Sequence, residues 1–123
     1  MADTAQKLNS IGKYIYKHIE GAYKIGFGPQ TCDVYIEMYY QPKEEYYQYR
    51  NPEMYTMKFD ISLATYQGKI RVNVTELTDM ERTIGQNIYK PEQLENMNEA
   101  FPKIYDNICK HIDKAYEDYE FIY

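Results

Sequence analysis

Several features that commonly define a protein's class are missing from this chain of 123 residues. It has no tryptophan and only two cysteines, Cys32 and Cys109, whose spacing is not typical of metal ligands. The N-terminal residues lack the apolar stretch of a secretory signal, and no apolar run approaches the roughly 20 residues of a membrane span. These absences predict a single soluble, cytoplasmic domain over residues 1–123, with reduced cysteines and no membrane contact.

Motifs of catalysis are absent as well. The sequence contains no HExxH, P-loop, GxSxG or GxGxxG pattern. Its two histidines, His18 and His111, have no acidic residue at the spacing of a helical metal motif. Cys109 precedes His111 by two positions, and helical side chains at that spacing point in different directions. We therefore expect no enzyme activity, no catalytic residue, no cofactor and no metal ion.

Basic residues are scarce in the C-terminal part of the chain, and the formal net charge is −5. Residues 1–75 carry nine basic and eight acidic residues, a balance of +1. Residues 76–123 carry five basic and eleven acidic residues, a balance of −6. This distribution disfavours a broad phosphate-binding surface in the second part. A helix face that only keeps the protein soluble would produce the same asymmetry.

Alternation of apolar and polar residues is the strongest pattern that is present. It runs from Met54 to Leu77 on both sides of Gln67-Gly68, and Gly68 suits the positive φ of a two-residue hairpin turn. The apolar set comprises Tyr55, Met57, Phe59, Ile61, Ile70, Val72 and Val74. Residues 33–41 and 82–89 fit two further strands, although a helical turn is an alternative for the latter. Gly85 indicates a β-bulge or a close backbone approach.

Two helical patterns flank the strands. Apolar residues at spacings of three and four predict an α-helix from Thr4 to Lys24, with Asp3 or Thr4 as its N-cap. A second pattern begins at Pro91, and Pro102 is expected to break or kink it before a long helix. The order α-β-β-β-β-α predicts an α+β two-layer sandwich, in which both helices pack on one face of an antiparallel four-stranded sheet.

Tyrosine is abundant, with sixteen residues, and it is common at protein-binding surfaces. Codon bias in an AT-rich genome would also explain it. The favoured function is a small, acidic, non-catalytic protein-binding module of the inhibitor or adaptor kind. We expect it to be encoded by a phage or mobile element and to mask a basic surface of a host protein. The predicted partner-binding residues are Tyr46, Tyr47, Tyr49, Arg50, Glu117, Asp118 and Glu120.

Two alternative functions fit the same patterns. A sheet face left free by the helices would offer aromatic and basic side chains to single-stranded nucleic acid. The residues of this alternative nucleic-acid face are Tyr35, Tyr39, Lys58, Lys69 and Arg71. Glu37 and Asp60 share the face, and ordinary cross-strand ion pairs would give the same composition. The other alternative is a homodimer that pairs through open sheet faces or an exposed strand edge.

Overall fold

The computed structural model describes residues 3–39, 56–77 and 81–122, with side chains for 3–38, 56–77 and 81–115. Its elements, in chain order, are α1 (Thr4–His18), β1 (Ala22–Phe27), β2 (Thr31–Tyr39), β3 (Thr56–Tyr66), β4 (Lys69–Glu76), β5 (Arg82–Tyr89), a 3-10 helix (Pro91–Leu94) and α2 (Met97–Ile122). The strands form one antiparallel sheet in the order β1-β2-β3-β4-β5. β1 and β5 are therefore its edge strands.

The central hairpin predicted from alternation is confirmed. In the β3–β4 pair, Ile61 lies opposite Val74 and Leu63 opposite Val72. Gln67 and Gly68 have positive φ angles, 51° and 77°. Two positive φ angles are typical of the two-residue turn whose twist matches that of a hairpin. The two-residue turn fixes this register, and the register places the apolar residues of both strands on the same face of the sheet.

The sheet has five strands, so the prediction of four was wrong. α1 ends at His18, because Ile19 is already extended with ψ 135°. The chain then turns back and pairs β1 with β2, placing Ile25 opposite Val34. Ile19 and Ala22 continue the helical spacing of α1 in the sequence, which concealed the strand. Ladder hydrogen bonds to β2 and the burial of apolar side chains from β1 favour the strand over another helical turn.

Pro102 was predicted to break or kink the C-terminal helix, and the break does not occur. Only Pro91–Leu94 forms a separate 3-10 helix, and α2 then runs through Pro102 from Met97 to Ile122. A proline at this position lacks the N–H that would bond to the Asn98 carbonyl, which weakens the helix locally. Burial of the apolar stripe on α2 outweighs that cost. The stripe comprises Ala100, Ile104, Ile108, Ile112 and Ala115.

Both helices pack on the same face of the sheet, as predicted. Gly12 of α1 lies directly against Cys32 of β2, and His111 of α2 lies directly against Gly85 of β5. One continuous core holds the inward residues of both helices and of the strands. Its strand members include Val34, Ile36, Met57, Phe59, Ile61, Leu63, Ile70, Val72 and Val74. No described helix lies on the opposite face, which is called the open face below.

Candidate interaction surface on the open face of the sheet

Strand register brings polar residues from distant parts of the sequence together on the open face. Tyr35 of β2 lies opposite Asp60 of β3, and Asp33 lies opposite Ser62. On the next strand, Asn73 lies opposite Ser62. Two carboxyl groups therefore lie near each other in the middle of the sheet, on neighbouring strands and offset along a diagonal.

Carboxyl groups are crowded at the centre of the open face. Burial raises the pKa of Asp60 from its ordinary 3.8 to about 7, with further contributions from a hydrogen bond to Asp33, from the charge of Asp33 and from Glu81. The charge of Asp60 is the largest cause of the raised pKa of Tyr35. A shared proton on a close carboxyl pair is the expected response to such crowding. The arrangement repels anions and attracts cations or hydrogen-bond donors.

Two acceptor atoms in this region have no hydrogen-bond donor. Oδ1 of Asp60 and Oδ1 of Asn73 are buried, and no described residue donates to either of them. A buried acceptor without a donor costs about 1–3 kcal/mol. Both atoms lie beneath the surface of the open face, out of reach of a docked partner's side chains, so this cost belongs to the folded protein itself.

Exposed aromatic and aliphatic side chains surround the acidic centre. Tyr23 on the edge strand is 52% exposed, and its ring centroid lies 6.5 Å from that of Tyr35. Lys24 Nζ lies 5.4 Å from the centre of the Tyr35 ring, in a cation–π contact. Across the sheet, Tyr66 is 65% and Ile88 54% exposed. Tyrosine and aliphatic area around a polar centre is typical of protein interfaces.

Four of the five residues predicted for nucleic-acid binding share this face without forming a basic centre: Tyr35, Lys58, Lys69 and Arg71. Lys58 lies opposite Glu37 in the register of β2 and β3. Lys69 begins β4 beside the hairpin turn, and Arg71 lies opposite Ile88 near one end of the sheet. Tyr35 borders the carboxyl pair, and Tyr39 belongs to β2, but its side chain is outside the described part.

The residues predicted for partner binding lie outside what the structure describes. The tyrosines Tyr46, Tyr47 and Tyr49 and the neighbouring Arg50 fall between the described segments 3–39 and 56–77. Glu117, Asp118 and Glu120 lie within α2, beyond the last described side chain. Sequence reasoning did not propose Tyr23, Tyr66 or the Asp33–Asp60 pair as a site. Alternation placed Asp33 and Asp60 outward, whereas Tyr23 fell within the predicted helix. That the two carboxyl groups meet depends on register.

Other titratable groups make structural contacts. His111 Nε2 lies 2.7 Å from Asn87 Oδ1, and the His18 ring lies 4.2 Å from that of Tyr14. Cys32 and Cys109 are both free thiols. Within segments 3–39, 56–77 and 81–122, no group of three His, Cys, Asp or Glu residues is placed to hold a metal ion. Among the described helices, none is long and apolar enough to cross a membrane.

Fold and surface together define a class: a small α+β protein with two helices on one face of a five-stranded meander and a polar open face. Comparison with protein-family models, with curated proteins and with solved structures finds no match.

The raised pKa of Asp60 makes stability depend on pH. Between about pH 4 and pH 7 the folded protein holds the proton that the unfolded chain has lost, so stability falls as the pH rises and levels off above 7. We expect this carboxyl to reduce the free energy of unfolding by about 1–2 kcal/mol between pH 5 and pH 8, since a partly exposed group keeps some hydration. Urea denaturation at several pH values measures the loss.

The contribution of Asp60 is isolated by comparison with Asp60→Asn, which should have a flatter pH dependence and greater stability at pH 8. Asp106→Asn, which changes an exposed carboxyl on α2, is the matched control and should follow the wild-type curve. Parallel curves for wild type and Asp60→Asn would contradict the prediction.

Proposed function

We propose that the protein is a small, non-catalytic protein-binding module that docks through its open face onto a basic, donor-rich surface of a partner protein. In its finer form the proposal is an inhibitor or adaptor, encoded by a phage or mobile element and acting in the cytoplasm, that masks such a surface. The observation that supports it most is the carboxyl pair, Asp33 and Asp60, at the centre of the open face.

Charge and hydrogen bonding at the centre favour a basic partner. Arginine and lysine side chains supply several donors each and carry the opposite charge, so they suit the carboxyl pair. Desolvated charge pairs of this kind give specificity and fast association. The exposed rings of Tyr23 and Tyr66 would add apolar area around the polar centre.

The same centre counts against single-stranded nucleic acid. Phosphates would have to approach Asp33, Asp60 and Glu81, the three carboxyl groups that interact there. Binding through counterion release needs a basic track along the backbone. Lys69 lies beside the hairpin turn, and Lys58 lies opposite Glu37 and one same-face position from Asp60, so the described bases do not form a continuous track.

Affinity capture from a lysate of the source organism tests the proposal, with quantitative mass spectrometry after nuclease treatment. The bait variant combines Tyr23→Ala, Tyr35→Ala and Asp60→Asn on the open face. Tyr16→Ala, on the exposed side of α1, is the matched control. We expect at least one protein to be depleted about tenfold by the face variant and retained by the control.

With the purified partner, affinity should rise from pH 6 to pH 8, because the carboxyl pair then loses its shared proton and becomes more negative. Partners retained equally by all baits, or affinity that falls over this pH range, would overturn the proposal. Bound material that nuclease releases would instead support nucleic-acid binding. Light scattering of the same variants tests self-association. A dimer that the face variant loses would show that the open face binds a second copy of this chain and not a different partner protein.

A further inference from the structure

A separate cavity lies between the 3-10 helix Pro91–Leu94 and the first three turns of α2. Its volume is about 320 Å³, which is within the range of small-molecule sites, roughly 300–1,000 Å³. The lining includes Tyr89 at the end of β5 and alternating acidic, apolar and donor residues of α2. None of these side chains belongs to the open face described above.

One end of the cavity is acidic. Glu92 follows the start of the 3-10 helix, Glu95 follows its end, and Glu99 lies in the first turn of α2. None of the three carboxylates forms a hydrogen bond or ion pair with another described residue. Three carboxylates line one concavity, and Lys103 is the one described cation that lines it with them. The excess of negative charge attracts a further cation, and a planar guanidinium fits carboxylates best.

The other end carries hydrogen-bond donors. Lys103 and Asn107 lie one turn apart on α2, and Asn107 Nδ2 donates to the Tyr89 hydroxyl at 2.9 Å. Tyr89 is only 6% exposed, and burial raises its pKa, so the phenol keeps its proton. No described residue accepts that proton. Tyr89 and Lys103 line the same cavity, and a buried O–H without an acceptor and an ammonium group both suit an anionic acceptor.

Apolar side chains separate the two ends. Ala100 and Ile104 are 4% and 0% exposed and line the cavity between the acidic and the donor residues. From Glu99 to Asn107 the helix rises about 12 Å. The cavity thus joins an anionic end to a donor end through an apolar middle, a pattern that suits a long dipolar ligand.

We propose that this cavity binds a basic amino acid with a free α-carboxylate, supplied as free arginine or as the C-terminal arginine of a peptide. The guanidinium lies among Glu92, Glu95 and Glu99, and the methylene stem lies along Ala100 and Ile104. The carboxylate accepts from the Tyr89 hydroxyl and from Lys103. This site is independent of the docking proposed for the open face, so either proposal can fail alone.

Isothermal titration calorimetry at low salt tests the ligand with L-arginine and two analogues. L-citrulline has the same length but no cationic group, and agmatine keeps the guanidinium but lacks the carboxylate. We expect arginine to bind with a saturable isotherm and each analogue to bind at least about tenfold more weakly. Citrulline or agmatine within threefold of arginine would overturn the proposal, as would the absence of saturation at millimolar arginine.

Two substitutions test the residues. Glu99→Gln should weaken arginine binding about tenfold and Tyr89→Phe about fivefold, whereas Glu20→Gln, an exposed carboxyl in the α1–β1 connection, should leave it unchanged. Thermal unfolding checks that each variant is folded. Unchanged affinity in Glu99→Gln would overturn the assignment of the acidic end.

The source of the ligand is resolved with acetyl-Gly-Arg and its C-terminal amide. Binding of the free-acid peptide at least as tight as that of arginine supports a peptide C-terminus. Binding of arginine without binding of the peptide supports the free amino acid. Equal binding of the amide would show that the carboxylate is not recognised and would overturn the proposal.

Discussion

Replacing Ile61 by alanine should lower the free energy of unfolding by about 2–5 kcal/mol. Ile61 is completely buried on the central strand β3, with Val34 opposite it on β2 and Val74 on β4. Loss of its branched side chain removes apolar burial and leaves a cavity that neighbouring strands cannot fill. Urea denaturation with the m-value held in common measures the change.

Ile88→Ala is the matched control, because it removes the same atoms from the other face of the sheet. Ile88 is 54% exposed on β5, and we expect a loss below about 1 kcal/mol. The difference between the two losses in free energy of unfolding measures how much more deeply one face of the sheet is buried than the other. Losses of similar size would show that the open face is also buried, and the docking proposal would then lose its surface.

Gly85→Ala is expected to destabilise the protein by about 2–3 kcal/mol. A Cβ at this position would overlap the imidazole ring of His111, which α2 lays directly on β5. Accommodating it requires α2 to move away or His111 to give up its 2.7 Å contact with Asn87, and overpacking of this kind costs about 1–3 kcal/mol. Chemical denaturation measures the loss.

Gly26→Ala provides the matched control, since Gly26 lies on the edge strand β1 and a Cβ there would meet no atom within 4 Å. That variant should be neutral or slightly stabilising. The double variant Gly85→Ala/His111→Ala should lose less free energy of unfolding than the sum of the two single losses. The shortened side chain at position 111 leaves room for the new methyl group. Additive losses would mean that the contact with His111 is not the cause.

Several elements of the fold were predictable because local patterns decided them. Alternation in β3 and β4 and a glycine in the turn specified the hairpin and the face of each side chain. Gly85 was correctly interpreted as a special position in a strand, and the structure has both an irregular register next to it and the close approach of a helix. The N-cap prediction is resolved in favour of Asp3, whose side chain accepts from the Gln6 amide.

Other elements depended on contacts between distant segments. Residues 22–24 were included in the predicted helix, and the pairing of Ala22–Phe27 with β2 makes them part of a strand. Pro102 stays within α2 because a stripe of buried residues continues on both sides of it. The candidate site depends on such contacts even more, since Asp33 and Asp60 are 27 positions apart and meet only through the β2–β3 register.

By itself, the sequence determined the fold class, the side of each central strand that is buried and the absence of recognisable catalytic motifs. These properties follow from periodicity and residue type, which act over a few neighbouring positions. Only the tertiary structure decided the fifth strand, the carboxyl pair on the open face and the dipolar cavity beside Tyr89. Each of these results from strand register or helix docking, which bring together residues that no local pattern connects.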